Sequence, residues 1–323
     1  MFKFYILTSG GQQALARQFD TFKTTDVVVV INTLDKEYET RIYEWCQKLS
    51  IECHITKSDG TAATGKNSVL KLFLESDNEY MVHVDGDDFI TPYGKNMYRT
   101  TANLPNPPDV IALYNQLALE VYRKGVWDDQ YDSLTVKTNG MYVPQALAPQ
   151  YPHDYTTSAQ SYGDPEQLTS MYMTQIPDLD YQTASDWGHA RAELNKLFNK
   201  YGERDEGFNR LTFLSRKAAE LMHYDNTLIV GEDTYQFYKL KTLAYEGILD
   251  MRMRNERWAF SYVYLSDRPS ITKTLDLERK LFGMIDYSWQ LPLLESLNRL
   301  IPTLPVDFSL PEFYDPHYEV NKK

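Results

Sequence analysis

Three aspartates, Asp85, Asp87 and Asp88, occupy three of four consecutive positions directly after the strand-like run 81–84. Crowded carboxylates repel one another and raise one another's pKa values unless a cation shares them. Hard oxygen ligands at this density suit Mg²⁺ or Mn²⁺, which take further ligands from water and from substrate phosphates. The motif therefore indicates a divalent metal site, with a solvated acidic turn as the competing interpretation.

A second pair of carboxylates, Glu232 and Asp233, stands between an apolar run at 227–230 and a helical pattern at 235–244. A carboxylate within reach of a substrate hydroxyl is a common general base. Acidic residues at the start of a helix also stabilise the helix dipole and cap backbone N–H groups without any catalytic role. The residues alone leave both interpretations open.

The chain ahead of the aspartates alternates between strands and helices. Predicted strands cover 2–7, 26–32, 51–56 and 81–84, and predicted helices cover 12–22, 35–49 and 61–74. The valine-rich stretch 26–32 is typical of a central parallel strand that is covered on both faces. Such alternation predicts right-handed βαβ units and a parallel sheet. The aspartates would then lie at the carboxyl edge of the sheet, where α/β proteins bind ligands.

Later segments are less regular. We expect a strand or pair of strands at 109–121, a helix at 186–197, a strand running into a helix at 209–220, a strand at 261–265, and a helix at 275–300 that Pro292 interrupts. In the earlier helix 35–49, the spacing places four side chains on one buried face, namely Tyr38, Ile42, Trp45 and Leu49. The stretch 121–205 lacks clear periodicity and is typical of an elaborated region that faces substrate.

Composition sets broad limits on the protein class. The chain has 323 residues, a formal net charge of −12 and two cysteines, Cys46 and Cys53, which make no disulfide framework. No apolar run reaches the roughly 20 residues of a membrane-spanning helix, and the N-terminal apolar run is too short for a signal peptide. We therefore expect a cytoplasmic protein, in the host-cell cytoplasm if the source is viral. The acidic balance argues against an extended surface for polyanions.

The order of these pieces resembles the GT-A glycosyltransferases of the family 2 type. In the first half the likeness is carried by 35–42 (DKEYETRI), by 60–70 (GTAATGKNSVL), and by 84–88 (VDGDD), which matches the DxD signature. Far along the chain, 213–220 (FLSRKAAE) and 230–240 (VGEDTYQFYKL) resemble the acceptor-side segment that ends in an ED motif. The resemblance implies an α/β fold of GT-A type, with a Rossmann-like, mostly parallel sheet flanked by helices and an acceptor-side elaboration.

The resemblance also implies a division of the chain. Residues 1–120 would bind the nucleotide sugar, and residues 121–260 would form the acceptor-side half, with the irregular insertion 121–205 and the ED motif. Residues 261–323 would be a C-terminal helical and irregular extension.

For the metal, the resemblance implies Mn²⁺ or Mg²⁺ with Asp87 as the principal ligand. Asp85 would lie closer to the ribose and to metal-bound water, so it counts both as a metal ligand and as a nucleotide contact. His317 is the candidate third ligand by its place in the tail, and His223 is the other candidate. His83 lies inside a strand, and we expect it to be packed there.

For catalysis, the resemblance makes Asp233 the general base and lets Glu232 orient the acceptor or Asp233. Displacement would then be single, and the anomeric configuration would invert. The nucleotide contacts that we expect are Thr8, Ser9, Gly10, Asp35, Asp59 and Lys66. Lys66 stands where the family usually has arginine, and as a point charge it could still meet a phosphate. An ordinary surface role remains the alternative for each of these polar residues.

A cluster of basic residues near the end of the acceptor-side half has two interpretations. Its members are Lys239, Lys241, Arg252, Arg254 and Arg257. The cluster could close over a diphosphate, since arginine suits bidentate phosphate contacts. An exposed face of mixed charge is the ordinary alternative, which this composition favours.

The sequence therefore predicts a metal-dependent inverting glycosyltransferase, either a hexosyl- or a pentosyltransferase. The donor would be a nucleotide-diphosphate sugar, UDP-like, and the acceptor hydroxyl would belong to a saccharide, a glycolipid or a hydroxymethylated DNA base of the kind that phage enzymes modify. One alternative is a nucleotidyltransferase, although GGQQALAR lacks the spacing of its phosphate loop. A non-catalytic module that binds sugar or nucleic acid is the other.

Overall fold

The computed structural model of the chain describes residues 1–9, 23–86, 88–90, 92–114, 117–122, 135–142, 164–176, 178–201, 210–228, 231–255, 260–265 and 288–301. The predicted helix 12–22 and, within the insertion 121–205, residues 123–134, 143–163, 177 and 202–205 lie outside these ranges. So do three residues singled out for ligand contacts, Gly10, Asp87 and His317, and one member of the basic cluster, Arg257.

The described strands and helices alternate along the first third of the chain. The strands are β1 (Phe2–Thr8), β2 (Val27–Ile31), β3 (Glu52–Ile55), β4 (Tyr80–Asp85), β5 (Asp88–Ile90), β6 (Val110–Tyr114), β7 (Leu117–Tyr122), β8 (Thr135–Tyr142), β9 (Arg210–Ser215), β10 (Met251–Asn255) and β11 (Phe260–Leu265). The helices are α1 (Lys36–Lys48), α2 (Ala62–Glu75), α3 (Pro92–Ala102), α4 (Pro165–Gln175), α5 (Tyr181–Tyr201), α6 (Arg216–Leu221), α7 (Glu232–Tyr245) and α8 (Gln290–Leu300).

Seven strands form the main sheet, in the order β10-β6-β9-β4-β1-β2-β3. Neighbouring strands run parallel except at β9, which lies antiparallel between β4 and β6. All five residues of β2 are buried, as expected for a central strand with helices on both faces. The predicted fold class, α/β with a mostly parallel sheet flanked by helices, is confirmed. Strands from both sides of residue 120 build this one sheet.

A smaller sheet has the order β5-β11-β7-β8. The predicted strand or pair of strands at 109–121 is therefore a pair, but β6 joins the large sheet and β7 joins the small one. β5 follows β4 almost at once and pairs with β11. The chain thus passes from one sheet to the other at the aspartate motif.

Two apolar cores lie on opposite faces of the main sheet. One contains α1 and α3, packed against alternate residues of β1, β2 and β4. The other contains α2, α5, α6, α7 and α8. Residues alternate between the faces along each strand, so Val82 and Val84 face the first core while Met81 faces the second. The side chains of His83 and Asp85, in step with Met81, are therefore directed to the face that carries α2 and α7.

Two sequence expectations about helices need correction. The buried face of α1 is Tyr38, Ile42 and Cys46, with Trp45 beside it, whereas Leu49 follows the last turn and is 38% exposed. Steps of four residues, continued from Tyr38, reach Cys46 and not Leu49. In the described residues, Pro292 lies in the first turn of α8 and does not interrupt it, because a missing N–H there breaks no intrahelical bond. Residues 275–287 of the predicted helix lie outside the described ranges.

The C-terminus of α2 is closed by a side chain from a distant part of the chain. The guanidinium of Arg216 donates hydrogen bonds to the carbonyl oxygens of Leu74 (2.7 Å), Asn78 (3.0 Å) and Ser76, and it lies 5.5 Å from the ring centroid of Phe73. These carbonyls lie at and just beyond the helix end, where helical partners run out.

In the described part of the chain, no helix is long and apolar enough to cross a bilayer.

Candidate active site

The carboxyl end of β4 lies directly beside the carboxyl end of β1. Asp85 pairs with Leu7 in the parallel register, and the N–H of Gly86 donates to the carbonyl oxygen of Leu7 at 2.7 Å. A Cβ on Gly86 would lie 2.9 Å from that same oxygen, so a glycine is needed here. The side chain of Asp85 is 32% exposed. The strand thus delivers one carboxylate to the sheet edge, as the sequence predicts.

The last residue of β1, Thr8, and the residue after it, Ser9, lie at the same edge. Thr8 is fully buried, and its hydroxyl shares a 2.7 Å hydrogen bond with the hydroxyl of Tyr38 on α1. Ser9 is half-buried. The structure therefore places both predicted nucleotide residues beside Asp85, with the Thr8 hydroxyl already bonded within the protein.

Asp35 and Asp59 both make local hydrogen bonds at helix starts. Asp35 caps α1 by accepting from the N–H groups of Glu37 and Tyr38, each at 3.0 Å. Asp59 accepts from the N–H and hydroxyl of Thr61 and from the hydroxyl of Thr64. Burial raises the pKa of Asp59, but the bonds from Thr64 and Thr61 outweigh it and lower the pKa below its ordinary value. Each carboxylate has a structural role, and their contact with a nucleotide stays a prediction.

The first turns of α2 press against the ends of β1 and β2. A Cβ on Gly65 would lie 2.7 Å from Asn32 Nδ2 and 2.9 Å from a methyl carbon of Leu7. Asn32, the residue after β2, donates to the carbonyl of Thr61 at 2.9 Å. This close approach carries the next residue of α2, Lys66, into the interior beside the sheet edge.

Lys66 joins the two carboxylates of the second motif. Its Nζ donates to Glu232 Oε1 at 2.9 Å and to Asp233 Oδ1 at 2.5 Å, across 166 and 167 positions of sequence. The side chains of Lys66 and Glu232 are 6% and 9% exposed, whereas that of Asp233 is 40% exposed. The predicted phosphate ligand is therefore paired with the predicted base and its neighbour.

Glu232 and Asp233 are the first two residues of α7, as the sequence predicts. Gly231 precedes them with φ +87°, a conformation that glycine adopts at little cost. A Cβ on Gly231 would lie 2.7 Å from a methyl carbon of Leu293 on α8. Helix α8 thus packs directly behind the turn that presents the two carboxylates. Their place at a helix N-terminus also stabilises their negative charge.

Two residues that sequence reasoning missed complete this contact. The ring centroid of Tyr224, which is 3% exposed, lies 5.5 Å from Lys66 Nζ. Asn67, next to Lys66 on α2, donates to the Tyr224 carbonyl at 2.7 Å and accepts from the Tyr224 N–H at 2.8 Å. Nothing in local sequence pairs residues 157 positions apart, although Asn67 belongs to the stretch that carries the family resemblance.

The pKa directions follow from this geometry. Burial lowers the pKa of Lys66, but the charges of Asp233, Glu232 and Asp85 raise it well above its ordinary value. Burial raises the pKa of Glu232, with Lys66 opposing and Asp233 adding to the shift. Both pKa values are raised, which favours the charged form of Lys66 and the neutral form of Glu232. Lys66 faces three carboxylates, whereas Glu232 is buried and faces one cation and a second carboxylate. Burial and the charge of Asp233 also raise the pKa of Tyr224.

A small cavity lies behind the ammonium. Its volume of about 10 Å³ is close to that of one water position, and it is lined by Lys66, Val69, Leu70, Met81, His83, Leu214 and Tyr224. The side chain of His83 is 11% exposed, and Nε2 lies 3.7 Å from Asp85 Oδ1. His83 is thus packed in the strand, as expected. The charge of Asp85 also acts on Lys66, so the end of β4 and the start of α7 lie near the same ammonium.

The metal expectation rests on oxygen chemistry at Asp85. Among the residues that the structure describes, no three His, Cys, Asp or Glu side chains come together as a metal site. Asp87 and His317 fall outside those residues, and the side chain of His223 is exposed. Asp85 offers a hard oxygen at the sheet edge, which fits Mg²⁺ or Mn²⁺.

The basic cluster does not form one exposed face. Lys241 is fully buried and donates to the carbonyl oxygen of Tyr201 at 2.7 Å, and Arg254 is 2% exposed. Arg252 is paired with Asp250. The interpretation as an exposed mixed-charge face is wrong for Lys241 and Arg254, because both side chains are buried.

Comparisons with known proteins give structural likeness only. No family model and no curated protein matches the chain. The structure is similar to that of S. aureus TarS, with a TM-score of 0.43 and 14% identity over 92% of this chain and 43% of that chain. It is similar to S. aureus TarS 1-349 in complex with UDP-GlcNAc, with a TM-score of 0.42 and 15% identity over 94% of this chain and 73% of that chain.

A third similar structure is the mannosyltransferase PcManGT from Pyrobaculum calidifontis in complex with GDP-Man and Mn²⁺. Its TM-score is 0.42, with 11% identity over 93% of this chain and 69% of that chain. The chain spans less than half of the length of the first TarS structure. Because all three TM-scores lie below 0.5, the function of this chain has to rest on its own residues.

Proposed function

We propose that the chain is a metal-dependent inverting glycosyltransferase of GT-A type that uses a nucleotide-diphosphate sugar. One observation carries the proposal: the ammonium of Lys66 is hydrogen-bonded to Glu232 and Asp233 at the start of α7, and the charge of Asp85 at the end of β4 also acts on it. A group-transfer site needs one set of groups for the leaving diphosphate and another for the attacking hydroxyl. The two acidic motifs supply these sets side by side.

On the donor side, Asp85 and Asp87 would hold Mn²⁺ or Mg²⁺, and Thr8, Ser9 and Gly10 would contact the nucleotide. When bound, the ion neutralises the diphosphate charge that develops as the glycosidic bond breaks. Asp35 and Asp59 are further nucleotide contacts in this proposal. A UDP-like donor is the expectation that the family resemblance gives.

On the acceptor side, Asp233 is the general base. Its side chain is 40% exposed, so a hydroxyl can reach the carboxylate, whereas Glu232 is buried behind it and orients it through Lys66. The acceptor O–H donates to the Asp233 carboxylate, which takes the proton as the oxygen attacks the anomeric carbon. Attack opposite the leaving group inverts the configuration. The acceptor would be a saccharide, a glycolipid or a hydroxymethylated DNA base.

The test is release of free nucleotide diphosphate from UDP-glucose, UDP-GlcNAc and GDP-mannose, with Mn²⁺, with Mg²⁺ and with EDTA. We expect release from one donor that stops with EDTA and in Asp85→Asn. Asp77→Asn is the matched control, because Asp77 is an exposed aspartate just before the opposite end of β4. Asp233→Asn should retain donor binding and lose transfer.

Full activity of Asp85→Asn or Asp233→Asn would refute the assignment of roles. Pyrophosphate release from a nucleoside triphosphate and a sugar phosphate would instead indicate a nucleotidyltransferase. Donor binding without release of either product, by any variant or with any ion, would indicate a binding module.

A further inference from the structure

We propose that Lys66 is a positioning residue that acts through Asp233, and that it does not bind the donor diphosphate. It holds one carboxylate oxygen of Asp233 in place and supplies a positive charge beside the buried carboxylate of Glu232. This inference rests on the proposed function, in which Asp233 is the general base. It replaces the phosphate contact that the family resemblance implies for this position.

The hydrogen bonds of Lys66 carry the argument. An ammonium has three N–H donors, and two of them go to Glu232 Oε1 at 2.9 Å and Asp233 Oδ1 at 2.5 Å. The ring of Tyr224 lies 5.5 Å from the same nitrogen. At 6% exposure, Lys66 could reach a diphosphate only by leaving a carboxylate, Glu232, that is itself 9% exposed. Leaving the buried carboxylate of Glu232 without its paired cation is strongly unfavourable.

The backbone around Lys66 holds this arrangement. Asn67 makes two hydrogen bonds to the backbone of Tyr224, one as donor and one as acceptor. Gly65 allows α2 to lie against Asn32 without a side chain between them. The contacts of Gly65 and Asn67, the residues on either side of Lys66, therefore fix the position of the ammonium. A fixed ammonium can align the carboxylate of Asp233 as well as attract it.

Charge balance gives Lys66 a second effect. The titratable groups that face it are Glu232 and Asp233 from α7, Asp85 from β4, and Tyr224 from the segment before α7, and His83 of β4 lines the same small cavity. Burial raises the pKa of Glu232, and Lys66 is the main group that opposes this rise. Without the ammonium, Glu232 would take up a proton at higher pH.

The chemical step needs the base ionised. The bond between the acceptor oxygen and the anomeric carbon forms, and the bond from that carbon to the phosphate oxygen breaks. The leaving nucleotide diphosphate keeps the bonding electrons, and Asp233 takes the acceptor proton. Lys66 holds the Asp233 carboxylate for this proton transfer, so loss of Lys66 should affect the chemical step more than donor binding.

The experiment compares Lys66→Met, Lys66→Arg and the control Lys71→Met, which removes a lysine of the same helix that is 75% exposed. In Lys66→Met, kcat should fall on the order of 100-fold, the loss expected for a displacement of about 1 Å. The acid limb of the pH–rate profile should move up by about one pH unit or more. The affinity for UDP, measured by calorimetry, should not change.

Lys66→Arg keeps the charge, so its acid limb should stay at the wild-type pH. Lys71→Met should match the wild type in all three measurements. Weaker UDP binding in Lys66→Met, with the acid limb in its wild-type position, would overturn the proposal in favour of a phosphate contact. Lys66→Gln serves the same comparison if the methionine variant does not fold.

A readout without turnover separates this inference from the proposed function. Carboxyl ¹³C NMR titration should show the pKa of Glu232 rising from wild type to Lys66→Met, and an unchanged titration would overturn the positioning role. If that shift is observed while the wild type turns over no nucleotide sugar, the pairing stands and the proposed function fails.

Discussion

Replacing Arg216 by methionine tests how strongly the two halves of the chain are joined at the far end of α2. The guanidinium donates to the carbonyl oxygens of Leu74, Ser76 and Asn78, which no helical N–H satisfies. Methionine keeps an unbranched apolar stem against Phe73, so the change removes mainly the hydrogen bonds and the charge.

The expected loss of unfolding free energy is about 3 kcal/mol. Hydrogen bonds that involve a charged group contribute about 1.5–3 kcal/mol each. One guanidinium serves three carbonyls in a half-buried place, so the contributions do not add in full, and water reaches some carbonyls after the change. Arg216→Lys should lose about 1–2 kcal/mol, because an ammonium cannot reproduce the planar fork of donors.

Urea unfolding followed by circular dichroism measures these losses, with Lys217→Met as the matched control. Lys217 is the next residue of α6, and its ion pair with Asp109, at 3.5 Å, has a lysine side chain that is 57% exposed. Exposed pairs of this kind contribute about 0–1 kcal/mol. A loss for Arg216→Met no greater than that of Lys217→Met would refute the view that Arg216 fastens α2.

Two further changes probe the site and its surroundings. Gly231→Ala should lower the unfolding free energy by about 1–3 kcal/mol through its φ of +87° alone, and further through the contact of its Cβ with Leu293, 2.7 Å away. Chemical denaturation measures this loss. A stability equal to that of the wild type would contradict the need for glycine. Burial, and to a lesser extent the charge of Arg99, lower the pKa of Lys95 to about 8. Because the pKa of Lys95 is lower in the folded state, the stability that Lys95 contributes is present above the ordinary lysine pKa of 10.5 and lost as pH falls through about 8. The unfolding free energy of the wild type relative to Lys95→Met should therefore rise between pH 7 and pH 10. Parallel stability curves for the two proteins over that range would contradict the burial argument.

Much of the parallel half follows from local sequence. The stretch VVVVI has no polar position, so it predicts a fully buried strand, and β2 is buried throughout. The direction of β9 cannot be predicted in the same way, because a short apolar strand has the same sequence pattern whether it pairs with parallel or antiparallel neighbours. The prediction that Leu49 is buried is wrong for another reason. Its position after the last turn of α1, and not its hydrophobicity, decides its exposure.

The candidate site, too, could be predicted from the sequence only in part. The residue types of Asp85, Glu232 and Asp233 indicate their chemistry, and the family resemblance brings them into one site. The partner of Lys66 could not be read from the chain, because local patterns do not say which of several carboxylates a buried lysine will face. Tyr224 was missed because an isolated tyrosine after a short helix has no pattern at all.

The place of β9 in the main sheet also bears on the order in which the protein can assemble. β4 and β6 are complete by Asp85 and Tyr114, yet the strand between them begins only at Arg210. Until that later segment arrives, both strands have an open edge of N–H and C=O groups, which invites pairing with another molecule. Pairing between distant segments is slow because loop closure comes first. Dilution during refolding, or a chaperone during synthesis, should therefore favour the completed sheet over aggregates.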